Sequence, residues 1–313
     1  MLAYVLRRLG AGVVLALLVT LITFFLLSLS FDSVVRSLLG PSATPETLHA
    51  RKAQMGLDRP VLVQYLDWLA HAARGDLGVS YFTSEPVVQA VPTRLGVTLS
   101  VIVVALILTA LISVMLGVLA ASRGGVVDRV AQGASLVGQL VPHMLIAIIL
   151  VTVLAINLKL LPPTGFTHLT DDPGRWAATI TIPVITLTVA SIANATAQVR
   201  GAMVDELSKD YIRTLRTRGI SSRSILLRHA LRNAAGPALT VLSLEFITMF
   251  GGVLILENIF ALPGFGTYAF NASLQGDVPI IMGVTLFAVL LIVTVNLVVD
   301  LVNGWLNPKA RIH

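Results

Sequence analysis

Few residues of this 313-residue chain are spaced for covalent chemistry. Its four lysines, Lys52, Lys159, Lys209 and Lys309, never follow a glycine, so the phosphate-cradling loop G-x-x-x-x-G-K-S/T cannot occur. The six histidines are scattered, with no H-E-x-x-H and no pair at helical spacing, and no serine sits in a G-x-S-x-G elbow. There is no cysteine, which excludes disulfides, iron–sulfur clusters and thiolate zinc sites. No catalytic residue and no metal ligand is expected, and enzymatic chemistry in this polypeptide is not expected either.

What remains is a set of polar groups at helical spacing inside long apolar runs. Gln132, Ser135, Gln139 and His143 form one stripe, and Thr188, Ser191, Asn194 and Gln198 a second. Glu245, Thr248 and Gly252 form a third, with Glu257 further along on a different face. The plain reading is interhelical hydrogen bonding, at about 1 kcal/mol a bond. Glu245 asks for more, because an ionisable group at bilayer depth is costly and ordinarily faces a cavity or a partner. His143 follows Pro142, and a hydrogen-bond donor at a helix kink is expected there rather than a metal ligand. The candidate pathway residues are Gln139, His143, Ser191, Asn194, Gln198, Glu245, Thr248 and Glu257.

A second constellation lies in 205–236, DELSKDYIRTLRTRGISSRSILLRHALRNAAG. Over Asp210–Arg218 the helical period puts Tyr211, Ile212 and Leu215 on one face and Arg213, Arg216 and Arg218 around the rest. Gly219 supplies the left-handed residue that commonly ends a helix. Ser221 or Ser222 caps a second helix over about 222–233, with Ile225, Leu226, Leu227, Ala230 and Leu231 to one side, and Gly236-Pro237 is expected to restart the chain. A basic loop beside anionic lipid headgroups accounts for the charge. A compact, internally capped hairpin with an apolar stripe instead suits a groove on another protein.

The elements that position these groups follow from composition. Hydrophobic residues make up 56% of the chain and charged residues 12%, with a mean hydropathy of +0.87. A soluble domain carries about 25% charged residues, so this is an integral membrane protein. Six runs are long enough for a bilayer of about 30 Å, which takes roughly 20 helical residues: 9–31, 95–121, 130–157, 178–199, 237–258 and 279–302. Leu9–Leu29 is too long for a cleaved signal and reads as an uncleaved first span. The segments that six spans place on one side hold 14 Lys/Arg, against Lys159 and Arg175 in the two short loops opposite. The positive-inside rule then puts both termini in the cytoplasm. The expected domains are 1–31, the cytoplasmic N-terminus and first span; 32–94, an extracytoplasmic subdomain; and 95–313, a five-span core containing the hairpin at 205–236. Within the subdomain, Val61–Arg74 reads as an amphipathic helix with apolar positions at 62, 65, 66 and 69.

The ordered motifs YVLRRL at 4–9, LDRPVLVQYLDWL at 57–69, RGDLGVSY at 74–81 and LPPTG at 161–165 carry a resemblance. So do DYIRTLRTRGISSRSILLRHALRNAAGPALTV at 210–241, ENIFALPGFGTYAF at 257–270 and NPKAR at 307–311. Over nearly its whole length the chain resembles the B-type permease subunits of dipeptide/oligopeptide ATP-binding-cassette importers. The resemblance implies an all-α, six-span, type I importer permease fold in the bacterial cytoplasmic (inner) membrane. It implies a heterodimer with a second homologous permease, two ATP-binding subunits that carry ATP and Mg, and an extracytoplasmic peptide-binding protein, with no nucleic acid involved. It further implies that the hairpin docks on an ATPase subunit, through Asp210, Tyr211, Arg213, Thr214, Leu215, Gly219, Ser221, Arg228 and His229. Leu215 stands where that family has a small residue. Permeases for nickel chelates or glutathione share the pattern, and a self-sufficient secondary transporter is the rival outside it, although no internal repeat is seen.

Overall fold

The structure, a computed structural model, describes residues 2–41, 43–123 and 140–306, with single positions at 125, 129, 132 and 133. Eleven helices are found among the described residues, and the only β-pairing there is one bridge, Val79 to Pro86. Among the described residues, five helices are long and apolar enough to cross a membrane. In hydrocarbon every backbone N–H and C=O needs an internal partner, which is why such runs are helical. A sixth, shorter apolar helix, His143–Asn157, stands in the expected third span; residues 130, 131 and 134–139 of that span, Ser135 and Gln139 among them, lie outside the described residues. The chain divides into two units, residues 1–98 with 263–294, and 99–262 with 295–313.

The first unit holds α1 (Leu2–Ser28), α2 (Phe31–Leu39), α3 (Pro45–Gln54), α4 (Val61–Ala72), the start of α5 (Val87–Arg123), α10 (Phe265–Gln275) and most of α11 (Val278–Leu306). The first span ends earlier than expected, at Ser28, in a turn before α2. Phe24, Phe31, Val35, Leu57, Tyr65, Val278 and Met282 form its core. The face of α4 that is buried differs from the expected one. Gln64 and Tyr65 are buried with Trp68 and Leu69 half-buried, whereas Leu62 and Leu66 are exposed. Hydrogen bonds explain the rotation. Gln64 Nε2 donates to the Arg59 carbonyl at 2.7 Å, and the Tyr65 hydroxyl donates to the Leu17 carbonyl at 3.1 Å and meets Thr20 Oγ1 at 3.0 Å. A second tie closes the loop between Gly78 and Pro86. Buried Asp277 accepts from Ser80 Oγ and from the Tyr81 N–H, while Ser80 Oγ accepts from the Phe82 and Thr83 N–H groups. Burial and the Asp277 carboxylate push the Tyr81 phenol up to about 12.

The second unit holds the rest of α5, α6 (His143–Leu150, continued as a π-helix over Val151–Asn157), α7 (Pro173–Leu207), α8 (Asp210–Thr217) and α9 (Ser222–Ile259). Helix α7 starts with Asp172 accepting from the Arg175 N–H at 3.0 Å and Pro173 in the first turn, where a missing N–H costs nothing. It packs on α9, and Gly117 of α5 lets that helix approach α7: a Cβ there would lie 2.8 Å from Val199 Cγ1. Helix α9 corrects the expected break at Gly236-Pro237. It passes through a π-helical stretch at Ile225–Ala230 and then runs unbroken from Leu231 to Ile259 with Pro237 inside it. Proline is tolerated within spans because neighbouring groups re-satisfy the backbone it frees.

Candidate functional site

Helix α8 is short and held by its apolar face. Ile212 is fully buried, and Tyr211 and Leu215 pack with it against Val199, Met203, Ile225, Ala230 and Ala234. Asp210, Arg213, Thr214, Arg216 and Arg218 are exposed. The helix ends in a Schellman motif: the Gly219 N–H donates to the Arg216 carbonyl at 3.0 Å and the Ile220 N–H to the Leu215 carbonyl at 3.2 Å. Gly219 has φ +76°, and a Cβ there would meet nothing within 4 Å, so the requirement for glycine is conformational and not steric. Ser221 Oγ then accepts from the Ser224 N–H at 3.4 Å and starts α9. Arg228 is exposed and His229 half-buried on its first turns.

Under the hairpin lies a polar knot in which the sequence pointed to Tyr211 alone. Glu206, at the end of α7 and only 5% exposed, accepts from the Tyr211 hydroxyl at 2.7 Å and from Lys209 Nζ. Asn233 Nδ2 of α9 donates to the same Tyr211 hydroxyl at 3.1 Å. Burial, and next the bond to Glu206, push the Tyr211 phenol up. One residue from each of three successive helices therefore meets at one oxygen. The signal available was an acid closing an apolar run, three residues before Lys209 and five before Tyr211.

A cavity of about 740 Å³ leads from this knot along α7 and α9, lined among others by Asn194, Gln198, Gly201, Asp205, Glu206 and Asn233. Asn194 Nδ2 donates to Glu245 Oε1, a carboxylate that is 4% exposed and does not itself line the cavity. Asn194, Gln198 and Glu245 are thus brought together. The other polar positions lie apart from the cavity. Ser191 and Thr188 are buried in α7, with Thr188 Oγ1 donating to the Ala105 carbonyl of α5 at 3.4 Å. Thr248 Oγ1 donates within its own helix to the Leu244 carbonyl at 3.0 Å, and the His143 ring lies against Gly252. Glu257 is fully buried, and its backbone carbonyl accepts from the Leu262 N–H at 2.9 Å. Among the described residues no group of three or more His, Cys, Asp or Glu is placed to hold a metal ion. The cavity offers amide donors and acceptors beside two acids, which suits transient hydrogen bonding to a polar solute.

Comparison with known proteins gives the arrangement its context. Residues 113–312 match the family described as binding-protein-dependent transport system inner membrane component, and residues 1–102 match the N-terminal family of the same membrane components. The chain is 37% identical over 309 residues to a probable peptide ABC transporter permease of Sinorhizobium fredii, covering 98% of this chain and 99% of the relative. It is 32% identical to the dipeptide transport system permease DppB of Escherichia coli, covering 99% of each. It is also 30% identical to the metal-staphylopine import system permease CntB of Staphylococcus aureus, again covering 99% of each. The chain belongs to the family of binding-protein-dependent transport system inner membrane components: it is a multi-pass permease component of an ABC transporter and not itself an ATPase.

Proposed function

We propose that this chain forms half of the translocation pathway of an ATP-driven di- or oligopeptide importer, paired with a second, homologous permease. One observation carries the mechanism: the hairpin and the polar cavity share one continuous helix. Helix α9 runs unbroken from Ser222, just past the capped turn, to Ile259, and carries Asn233 and Glu245 on the way. A force applied to α8 reaches the cavity along α9 and through the Glu206–Tyr211–Asn233 knot. One of two ATP-binding subunits, carrying ATP and Mg, docks on the exposed face formed by Asp210, Arg213, Thr214, Arg216 and Arg228, and the other docks on the partner permease. Their nucleotide state biases the helices; shifting a two-state equilibrium from 1:99 to 99:1 takes about 5.5 kcal/mol of differential binding. An extracytoplasmic peptide-binding protein delivers solute to the opposite side, and the basic segments keep both termini cytoplasmic in a bacterial inner membrane. Peptide is the solute class in the names of the S. fredii and E. coli relatives, and a metal chelate is the second reading, after the S. aureus relative.

The test is uptake by cells lacking this chain, with and without it restored, given di- to hexapeptides, a nickel chelate and glutathione in parallel, together with affinity purification of the restored complex. Peptide uptake that depends on the chain, with an ATPase copurifying, is the expected result. Uptake of the chelate alone would replace the substrate, and the absence of any copurifying ATPase would overturn the coupling role.

A further inference from the structure

The first unit contains a second polar cluster that the hairpin and its cavity do not use. The start of α5 and helix α10 enclose a cavity of about 260 Å³, which Arg94, Glu85, Tyr268, Asn271 and Gln275 help to line. The Arg94 guanidinium lies over the Tyr268 ring, 5.4 Å from its centroid. That contact engages the face of the ion and leaves its five N–H donors free to point elsewhere. Among the described residues no carboxylate comes within the 4.0 Å of an ion pair with it. The Tyr268 hydroxyl is buried and has no hydrogen-bond partner among the described residues. Burial first, and the Glu85 carboxylate next, push this phenol up to about 12, so it holds its proton at neutral pH. Asn271 and Gln275 follow Tyr268 by three and seven positions, on the same face of α10. A half-buried guanidinium and a protonated phenol thus border one space with two solvent-exposed amides at its edge, while a phenylalanine at 268 would fill the volume without leaving a buried donor unmatched.

We propose that Arg94 and Tyr268 form a carboxylate-binding site, occupied by the C-terminal carboxylate of the transported peptide. The source of the carboxylate rests on the peptide reading above; the site itself does not. A guanidinium fork binds a carboxylate bidentately, and the Tyr268 O–H supplies a further donor. Asn271 and Gln275 offer their amides to the adjoining peptide group. Glu85, lining the same cavity, opposes the bound carboxylate as well but attracts an ammonium, so the site favours a zwitterion over an anion.

The experiment uses the intact permease–ATPase complex in lipid nanodiscs, without binding protein. Binding of alanylalanine, alanylalanine amide and N-acetylalanine is measured by calorimetry or saturation-transfer NMR. Alanylalanine and N-acetylalanine bind the wild type, and the amide binds roughly tenfold more weakly. Arg94→Gln weakens both carboxylate probes roughly tenfold or more and Arg94→Lys less, because an ammonium lacks the fork. Tyr268→Phe weakens both severalfold without lowering Tm, since it removes a hydroxyl that no described residue satisfies. Equal affinities for carboxylate and amide in the wild type, or affinities unchanged in both Arg94→Gln and Tyr268→Phe, overturn the site. So does an Arg94→Gln complex that falls apart while Tyr268→Phe binds normally, since Arg94 then pairs with a neighbouring subunit. If carboxylate binding follows these variants but cells take up no peptide, the carboxylate site stands and the peptide reading falls.

Discussion

Glu245 is a buried acid whose carboxylate accepts from Asn194 on the neighbouring helix. Its charge inside an apolar run singled it out, and the spacing of Ser191, Asn194 and Gln198 singled out a face of α7. That Asn194 donates to Glu245, 51 positions along the chain, follows from how α7 and α9 pack and from nothing local. Nothing local marks the Glu206 carboxylate as a junction, for the same reason: its partners Tyr211 and Asn233 come together only when three helices meet. The Asn194–Glu245 bond can be weighed directly. A buried acceptor stripped of its donor costs about 1–3 kcal/mol, so Asn194→Ala should lower the Tm of the purified complex measurably. Glu245→Gln leaves an amide opposite Asn194 and should lower it less. The double variant should lose less than the sum of the singles by about 1 kcal/mol, the coupling expected of residues in contact. Strict additivity would mean that the two side chains are not bonded in the assembled complex. Because Asn194 lines the cavity and Glu245 does not, Asn194→Ala should also change uptake more than Glu245→Gln.

Elements divide into those with local stop signals and those without. The end of α8 was legible to within one residue, because Gly219 and Ser221 fix it and the start of α9 through backbone conformation and a cap. The continuity of α9 through Pro237 was not, since an interior proline reads as a break when the neighbours that re-satisfy the backbone are unknown. The apolar pattern alone points the wrong face of α4 inward. In a membrane protein an outward leucine such as Leu62 or Leu66 carries little penalty where lipid or a partner covers it, whereas Gln64 and Tyr65 gain from buried partners. The turn at Gly219 offers the sharpest test at this scale. With φ +76° and open space around the missing side chain, Gly219→Ala should cost only the backbone penalty of about 1–2 kcal/mol. Gly219→Val adds β-branched crowding at positive φ and should redirect α9's first turns relative to α8. The spans do not rely on this turn, so membrane insertion should be normal while ATPase stimulation by the loaded binding protein, and uptake with it, fall together in reconstituted complexes. Single exposed charges act weakly, so Arg213→Ala and Arg228→Ala should fall short of Gly219→Val. Wild-type coupling in Gly219→Val would reduce the segment to a basic loop.

At the scale of the whole molecule, the burial of the long helices separates their roles. The most apolar window of α7 is 56% buried, whereas that of α1 is 22% buried and leaves Leu15, Leu18, Ile22 and Phe25 exposed. Helix α7 is therefore the inner element of its unit, and α1 offers its apolar surface to lipid or to another subunit. Composition made the membrane class legible at once, but neither amphipathicity nor propensity marks which span is innermost, because lipid and protein interior are equally apolar. Orientation rests instead on charge outside the spans. Fourteen Lys/Arg fall in the N-terminus, 122–129, 200–235 and the C-terminal segment, while the short loops 158–177 and 259–278 hold two. The positive-inside rule is the ground for the proposed orientation, with the first set cytoplasmic. Since the chain has no cysteine, single substitutions report without background. Ala70→Cys on the exposed side of α4 should react with an impermeant maleimide in intact cells. Ser222→Cys, exposed at the start of α9, should react only after the membrane is opened, and more slowly when the ATPase is bound. The second comparison joins topology to mechanism: labelling at 222 that is equally fast with and without the ATPase would separate the side on which the hairpin lies from any docking role.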